Sequence, residues 1–299
     1  MNATSNQSWN DALDQFEIGY DVEKRPLFVE LGQGSKAVDN LYSIVRTDTQ
    51  QPLPGVAVNG RYTCIQTREY AEIGEKIVGE LGAKFVAGGQ LMGGRGLFLQ
   101  AKLPESIRVR GTDDIIDKNL TFVTSHDGSL CFMLMATALR LFCDNQMNAL
   151  QRDARDGVKI RHTASAESRL LNADQNIMEV LGAYKGLELK VNFLADQTFS
   201  DLQMADVIAE VFSVKDINGE VATRTKNNII KVKDNFESGL GIDADNRGTA
   251  WAAYNSFTQF SDHQRTMKKG TDPFEAGLLG SGATFKFKAL RAIENSLQA

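Results

Sequence analysis

Apolar residues change their spacing once along this chain, near Thr163. Before it they alternate in short runs; after it they recur three and four residues apart. Arg61–Gln66 alternates and predicts a strand that ends at Thr67, a good helix N-cap. A helix over Arg68–Leu81 follows, with Tyr70, Ile73, Ile77 and Leu81 on one face and Gly82 just past its end. Two hairpins come next. Lys84–Leu91 and Leu97–Leu103 flank Met92-Gly93-Gly94-Arg95-Gly96, and Leu120–Ser125 and Ser129–Met135 flank His126-Asp127-Gly128. Glycine supplies the positive φ of a tight turn, and Asp-Gly between apolar runs is a strong hairpin signal. A helix is then expected over Ala138–Ala154, because Leu139, Phe142, Cys143, Met147, Leu150 and Ala154 form a helical stripe that can lie across the sheet.

The second half reads as helical. Leu170, Ile177, Leu181, Tyr184, Val191 and Leu194 keep helical spacing through Gly182 and Gly186. Ser200-Asp201-Leu202-Gln203 is a capping box opening a helix to Phe212. Further helices are expected at Thr223–Ser238, at the aromatic stretch Thr249–His263 and at Thr284–Ser296. Residues 1–60 read as irregular, with strands at Pro26–Leu31 and Leu41–Arg46 and loops around Gly34 and Pro52-Leu53-Pro54-Gly55. Asp113, Asp114 and Asp117 cluster where a helix start would welcome acids. The class implied is α+β: two hairpins forming an antiparallel sheet packed by helices, then a mainly helical C-terminal half. The segments are 1–60, an α+β core at 61–162 and a helical region at 163–299.

The chain of 299 residues is 42% hydrophobic and 24% charged, as expected of a globular protein with a full core. No run approaches a membrane span, and the polar, acidic N-terminus lacks the basic start and apolar core of a secretory signal. Three unpaired cysteines, Cys64, Cys131 and Cys143, suit reduced thiols in a cytoplasmic protein. Net charge is −5, which argues against a nucleic-acid binder, but electrostatic footprints are local. Residues 140–169 hold Arg140, Arg152, Arg155, Lys159, Arg161 and Arg169, and residues 221–233 hold Arg224, Lys226, Lys231 and Lys233.

Catalytic constellations are thin. His126, His162, His263, Cys131, Cys143, Asp127 and Asp144 show no metal-ligand spacing, and Cys131 and Cys143 sit on apolar stripes where cysteine is a small hydrophobe. The glycine-rich run before Gly96 opens onto a strand, whereas phosphate cradles open onto a helix N-terminus. The reading is therefore of a non-enzyme with no cofactor and no metal.

Asp127-Gly128-Ser129, then Arg140-Leu141-Phe142-Cys143-Asp144-Asn145, then Arg161-His162-Thr163, together with the Thr249-Ala250-Trp251 helix, resemble one family. It is the phage/plasmid-like protein group, a domain of unknown function found on phages, prophages and conjugative plasmids. The resemblance runs from about Tyr62 to Leu290. A second resemblance, of topology alone, is to the single-strand annealing proteins, in which single-stranded DNA lies in a basic groove of a ring. It implies a homo-oligomer that binds single-stranded DNA without regard to sequence, through Arg95, Arg140, Arg152, Arg155, Lys159, Arg161 and His162, with Lys231 and Lys233 as a second tier. Two alternatives stand beside it. One is an acidic accessory or anti-defence factor that binds a phage or host recombination or replication protein. The other is a nucleic-acid-modifying enzyme built on Cys143, His126 and His162.

Overall fold

The computed structural model describes residues 7–32, 34–140, 145–146, 157–160, 173–217, 219–240, 242, 244–267, 273–278 and 280–298. The chain is α+β. Helix α1 (Trp9–Gln15) precedes a sheet of β1 (Val22–Leu31), β2 (Gly34–Arg46) and β3 (Val58–Asn59) in that order. A 3-10 turn at Thr67–Tyr70 leads into α2 (Ala71–Glu80). The second sheet holds β4 (Lys84–Leu91), β5 (Gly96–Arg108), β6 (Ile115–Ser125), β7 (Phe132–Arg140) and β8 (Asn145–Gln146) in sequence order, with β9 (Gly157–Ile160) also on β7. Then come α3 (Ala173–Asp196), α4 (Asp201–Phe212), α5 (Thr223–Ser238), α6 (Ala250–Gln259), a π turn at Phe260–Gln264, α7 (Pro273–Leu278) and α8 (Ser281–Gln298). All described strands end by Ile160, and the described residues from Ala173 onward are helices and connections apart from a bridge between Thr198 and Thr249.

Two compact units share the chain. The first comprises Met1–Pro104, Asn119–Ala136 and Gly157–Leu181; the second comprises Glu105–Lys118, Thr137–Asp156 and Gly182–Ala299. Both are discontinuous in sequence.

The first unit is organised around Trp9. Its ring meets Phe85 and Phe122 edge-on, at 5.9 and 5.0 Å between centroids, and its Nε1 donates to Thr67 O at 3.1 Å. A Cβ on Gly74 would lie 2.1 Å from that ring, so α2 needs glycine there. Ser8 caps α1 through a full capping box. Residues 9–46 are thus far more regular than the sequence reading allowed. The reason lies in exposure: from Arg25 to Asn40 the β1–β2 hairpin is largely exposed on both faces, so no apolar alternation marks it. Arg61–Gln66, conversely, is not a strand. Its partners are side chains: Lys24 Nζ donates to Gly60 O and Tyr62 O, and the Gln66 amide brackets both backbone polar groups of Val22 at 2.9 Å.

The expected helix over Ala138–Ala154 is overturned. Residues up to Arg140 continue β7, and Asn145 pairs antiparallel with Arg140. Phe132, Leu134, Ala136 and Ala138 are buried, and so are Met133 and Thr137 between them. A strand covered on both faces is a continuous apolar run, which periodicity alone does not separate from a helix. Cys143, placed on that helix, lies outside the described residues.

In the second unit α6 is central. It is buried along its whole length and packs on α5, α8 and β8. Thr249 caps it by accepting from Ala252 N, and Phe212, Phe257, Phe260 and Phe285 cluster beside it. The Asp113–Asp117 cluster caps no helix. Asp114 and Asp117 are buried; Trp251 Nε1 donates to Asp114 at 2.7 Å and Ser106 Oγ to Asp117 at 2.8 Å. The fully buried Lys286 ammonium donates to both oxygens of Asp262, at 2.9 and 3.1 Å. Burial pushes that ammonium below the ordinary lysine range, against the pull of Asp262.

Removing one member of this pair leaves a buried unpaired charge. Asp262→Ala is expected to cost about 3–5 kcal/mol in urea unfolding, whereas Lys286→Met with Asp262→Leu should recover most of the loss. A single substitution as mild as the double one would show that the ammonium finds other solvation.

Candidate nucleic-acid interface

The glycine loop and the Asp-Gly turn are joined in the first unit. Met92, Gly93 and Gly94 all have positive φ, at 51°, 68° and 92°, and reverse the chain between β4 and β5. The buried Tyr20 hydroxyl donates to Gly94 O at 2.9 Å, and His126 N donates to Arg95 O at 2.8 Å. Burial pushes the Tyr20 phenol up to about 12. Arg46 stacks on the Tyr20 ring at 3.7 Å and binds Asp48.

Arg95 is therefore not the free cation at a hairpin tip that its position suggests. Its Nε donates to Met92 O at 3.0 Å and its guanidinium lies 3.5 Å from the Asp127 carboxylate, leaving the side chain 35% exposed. Asp127 also accepts from Ser129 N at 2.9 Å and Ser129 Oγ at 2.5 Å. Burial works to raise its carboxyl, but the Ser129 and Ser125 hydrogen bonds and the Arg95 charge hold it below the usual range. Gly128 has φ 75°, and a Cβ there would come 3.1 Å from the Tyr62 ring. The turn disfavours a side chain, as its sequence predicts.

Beside this loop the outer face of β4 and β5 carries residues that the sequence reading did not single out. Leu97, Leu99, Ala101 and Leu103 of β5 are buried, so Phe98, Gln100 and Lys102 share the opposite face and are half-buried. Lys102 pairs directly across the ladder with the exposed Lys84 of β4, and Phe98 with Gly89. Gln100 Nε2 donates to Thr121 Oγ1 at 3.1 Å, so the groups on this face that suit a single-stranded polyanion are an aromatic ring and two ammoniums. The signal was present as the alternation of Leu97–Leu103.

Of the other expected contacts, only Lys231 and Lys233 have described side chains. The backbone of Arg140 ends β7 and that of Lys159 lies in β9 opposite Met133; their side chains lie outside the description. Arg152, Arg155, Arg161 and His162 lie outside the described residues. Lys231 and Lys233 belong to α5 in the second unit. Lys231 donates to Gln264 O at 3.2 Å, and Lys233 lines a cleft of about 240 Å³ with Asp201 and Glu237, an acidic setting. His126 is buried against Tyr20. Among the described residues no three His, Cys, Asp or Glu side chains are placed to hold a metal, and no described helix is long and apolar enough to cross a membrane.

Fold and site together define an α+β protein with an antiparallel sheet, a helical half and a polar cluster where two hairpin turns meet. Residues 56–278, most of the chain, match the family described as Domain of unknown function (DUF932), and the chain belongs to it. No curated protein and no solved structure gave a match.

Because the folded-state pKa of Asp127 is depressed, its contribution to stability is present above the unfolded value of about 4 and lost as pH falls through the lower folded value. Asp127→Asn is expected to cost about 1–2 kcal/mol at pH 7 in denaturant unfolding, with the gap from wild type closing below about pH 4. A gap unchanged down to pH 2 would remove the carboxylate from this role.

Proposed function

We propose that this protein binds single-stranded DNA without regard to sequence and anneals strands, as a homo-oligomer, in phage or plasmid recombination. The observation that carries the reading is the Lys84–Lys102 cross-strand pair on the face that also holds Phe98. Lys84 and Lys102 would contact phosphates, and bases would pack against Phe98. Bases facing solvent would stay free to pair with a second strand, and no nucleotide hydrolysis is required. The basic segment of Arg152, Arg155, Lys159 and Arg161 adds phosphate contacts in this scheme.

A second reading is favoured by the β1–β2 hairpin. Phe28, Val29 and Leu31 are 60%, 45% and 55% exposed, and β1 is an edge strand with no outer neighbour among the described residues. Such an arm suits a protein partner, and the net charge of −5 suits an accessory factor that displaces DNA from its target.

Anisotropy of labelled oligonucleotides separates the two. Annealing predicts equal affinity for unrelated single strands, weaker binding to duplex, and a log–log salt slope of about −0.7 per neutralised phosphate. Lys84→Ala with Lys102→Ala should make the slope shallower by up to about 1.4, two contacts' worth, with the fold intact. Absence of binding at low salt would sink the reading and promote the protein partner.

A further inference from the structure

Several arginines of this chain meet a carboxylate, as Arg46, Arg68 and Arg110 do. Arg224 and Arg265, both in the second unit, have none within ion-pair distance among the described residues. Each is tied to backbone instead. Arg224, in the first turn of α5, reaches Thr266 O at 3.5 Å, the residue next to Arg265. Arg265 donates to Ser281 O at 3.1 Å, at the start of α8, and its guanidinium carbon lies 5.3 Å from the centre of the Phe285 ring. Lys231, about two helical turns on from Arg224, donates to Gln264 O at 3.2 Å, and the side-chain amides of Asn235 and Gln264 exchange two hydrogen bonds of 3.0 Å. Residues 264–266 are thus fastened along α5, which fixes where Arg265 starts. Burial first, and the Arg224 charge second, hold the half-buried Arg265 guanidinium below the ordinary arginine range. Helix α5 has no side-chain cap at Ala222 and no acid in its first turn, so the field of its positive end adds to theirs.

We propose that Arg224 and Arg265 together form a binding site for a phosphate oxyanion. A guanidinium carries five N–H donors in a planar fork, and each of these two gives one to a protein carbonyl. The donors that remain match the oxygens of a phosphate, which a fork engages two at a time. A carboxylate offers one such pair of oxygens and is met by a single arginine. A tetrahedral phosphate offers oxygens in more than one plane and can meet two forks at once. That difference favours phosphate over an acidic side chain of another protein. The anchoring of residues 264–266 reduces the freedom that Arg265 has left to lose on binding, and Phe285 shields one side of it. The phosphate comes either as a small free compound or on a nucleic-acid strand; the chemistry at the two guanidiniums is the same.

The site does not rest on the annealing reading, because inorganic phosphate alone tests it. Calorimetric titration of the full chain with inorganic phosphate at low ionic strength is expected to show saturable binding. Acetate should bind at least about tenfold more weakly, since it leaves one fork unmet. Arg224→Gln, at an exposed position, should raise the dissociation constant for phosphate at least about tenfold without moving the melting temperature. Arg265→Gln should weaken binding as much, and Arg224→Lys, which keeps the charge and loses the fork, should restore it only in part. Lys226→Gln removes an exposed charge two residues on, across the helix, and should change the constant by less than about twofold. Oligothymidylate then separates the sources. A parallel loss of strand affinity in Arg224→Gln assigns the site to a strand, and unchanged strand affinity assigns it to a free phosphate compound. No saturable phosphate binding, acetate binding as tight as phosphate, or a Lys226→Gln effect equal to that of Arg224→Gln overturns the proposal.

Discussion

The hydrogen bond from Trp251 Nε1 to the Asp114 carboxylate, 2.7 Å long and shut off from solvent, is the contact on which the second unit depends. It joins residues 137 apart in sequence and puts a carboxylate where an apolar side chain would otherwise be expected. A buried carboxylate is tolerated only when donors meet it, and a buried indole N–H only when an acceptor does. Each therefore requires the other. With Trp251 so held, α6 stays buried on all sides, and the aromatic cluster of Phe257, Phe260 and Phe285 assembles on the turns that follow. The π turn at Phe260–Gln264 turns Asp262 toward Lys286, a second buried charge met by its opposite.

The first unit uses its N-terminal residues in an equivalent way. Trp9 fills the core between α2 and the sheet, and Tyr20 reaches the carbonyl of Gly94 at the hairpin turn. The family match begins at residue 56, so these supports precede it. They stiffen the loop whose Arg95 meets Asp127. Arg95 is committed to the turn, and Lys84 and Lys102 lie opposite each other on the β4–β5 ladder.

Several of the described cations are engaged within the fold. Lys24, Arg46, Arg68, Arg110, Lys231 and Lys286 all have carbonyl or carboxylate partners within hydrogen-bonding distance. A local excess of basic residues in sequence is therefore a poor guide to a binding surface here. On the β4–β5 face Lys84 and Lys102 lie opposite each other across the ladder.

The sequence by itself determined the elements whose signals are local. The Ser200 capping box, the helix Thr223–Ser238, the Thr249 cap and the glycine and Asp-Gly turns all lie where their own residues place them, because caps and turns are decided within about four residues. The α+β class and the helical C-terminal half followed from the change in periodicity. Tertiary structure decided the rest. Phe132–Arg140 is a strand because both its faces are covered and Asn145 returns beside it, a choice that an apolar run leaves open. Asp114 and Asp117 are buried acceptors because Trp251 and Ser106 arrive from elsewhere. Lys84 and Lys102 become neighbours only through the register of a ladder. Local propensity acts over a single turn of chain, whereas burial and charge pairing are set by whichever distant residue fills the remaining space.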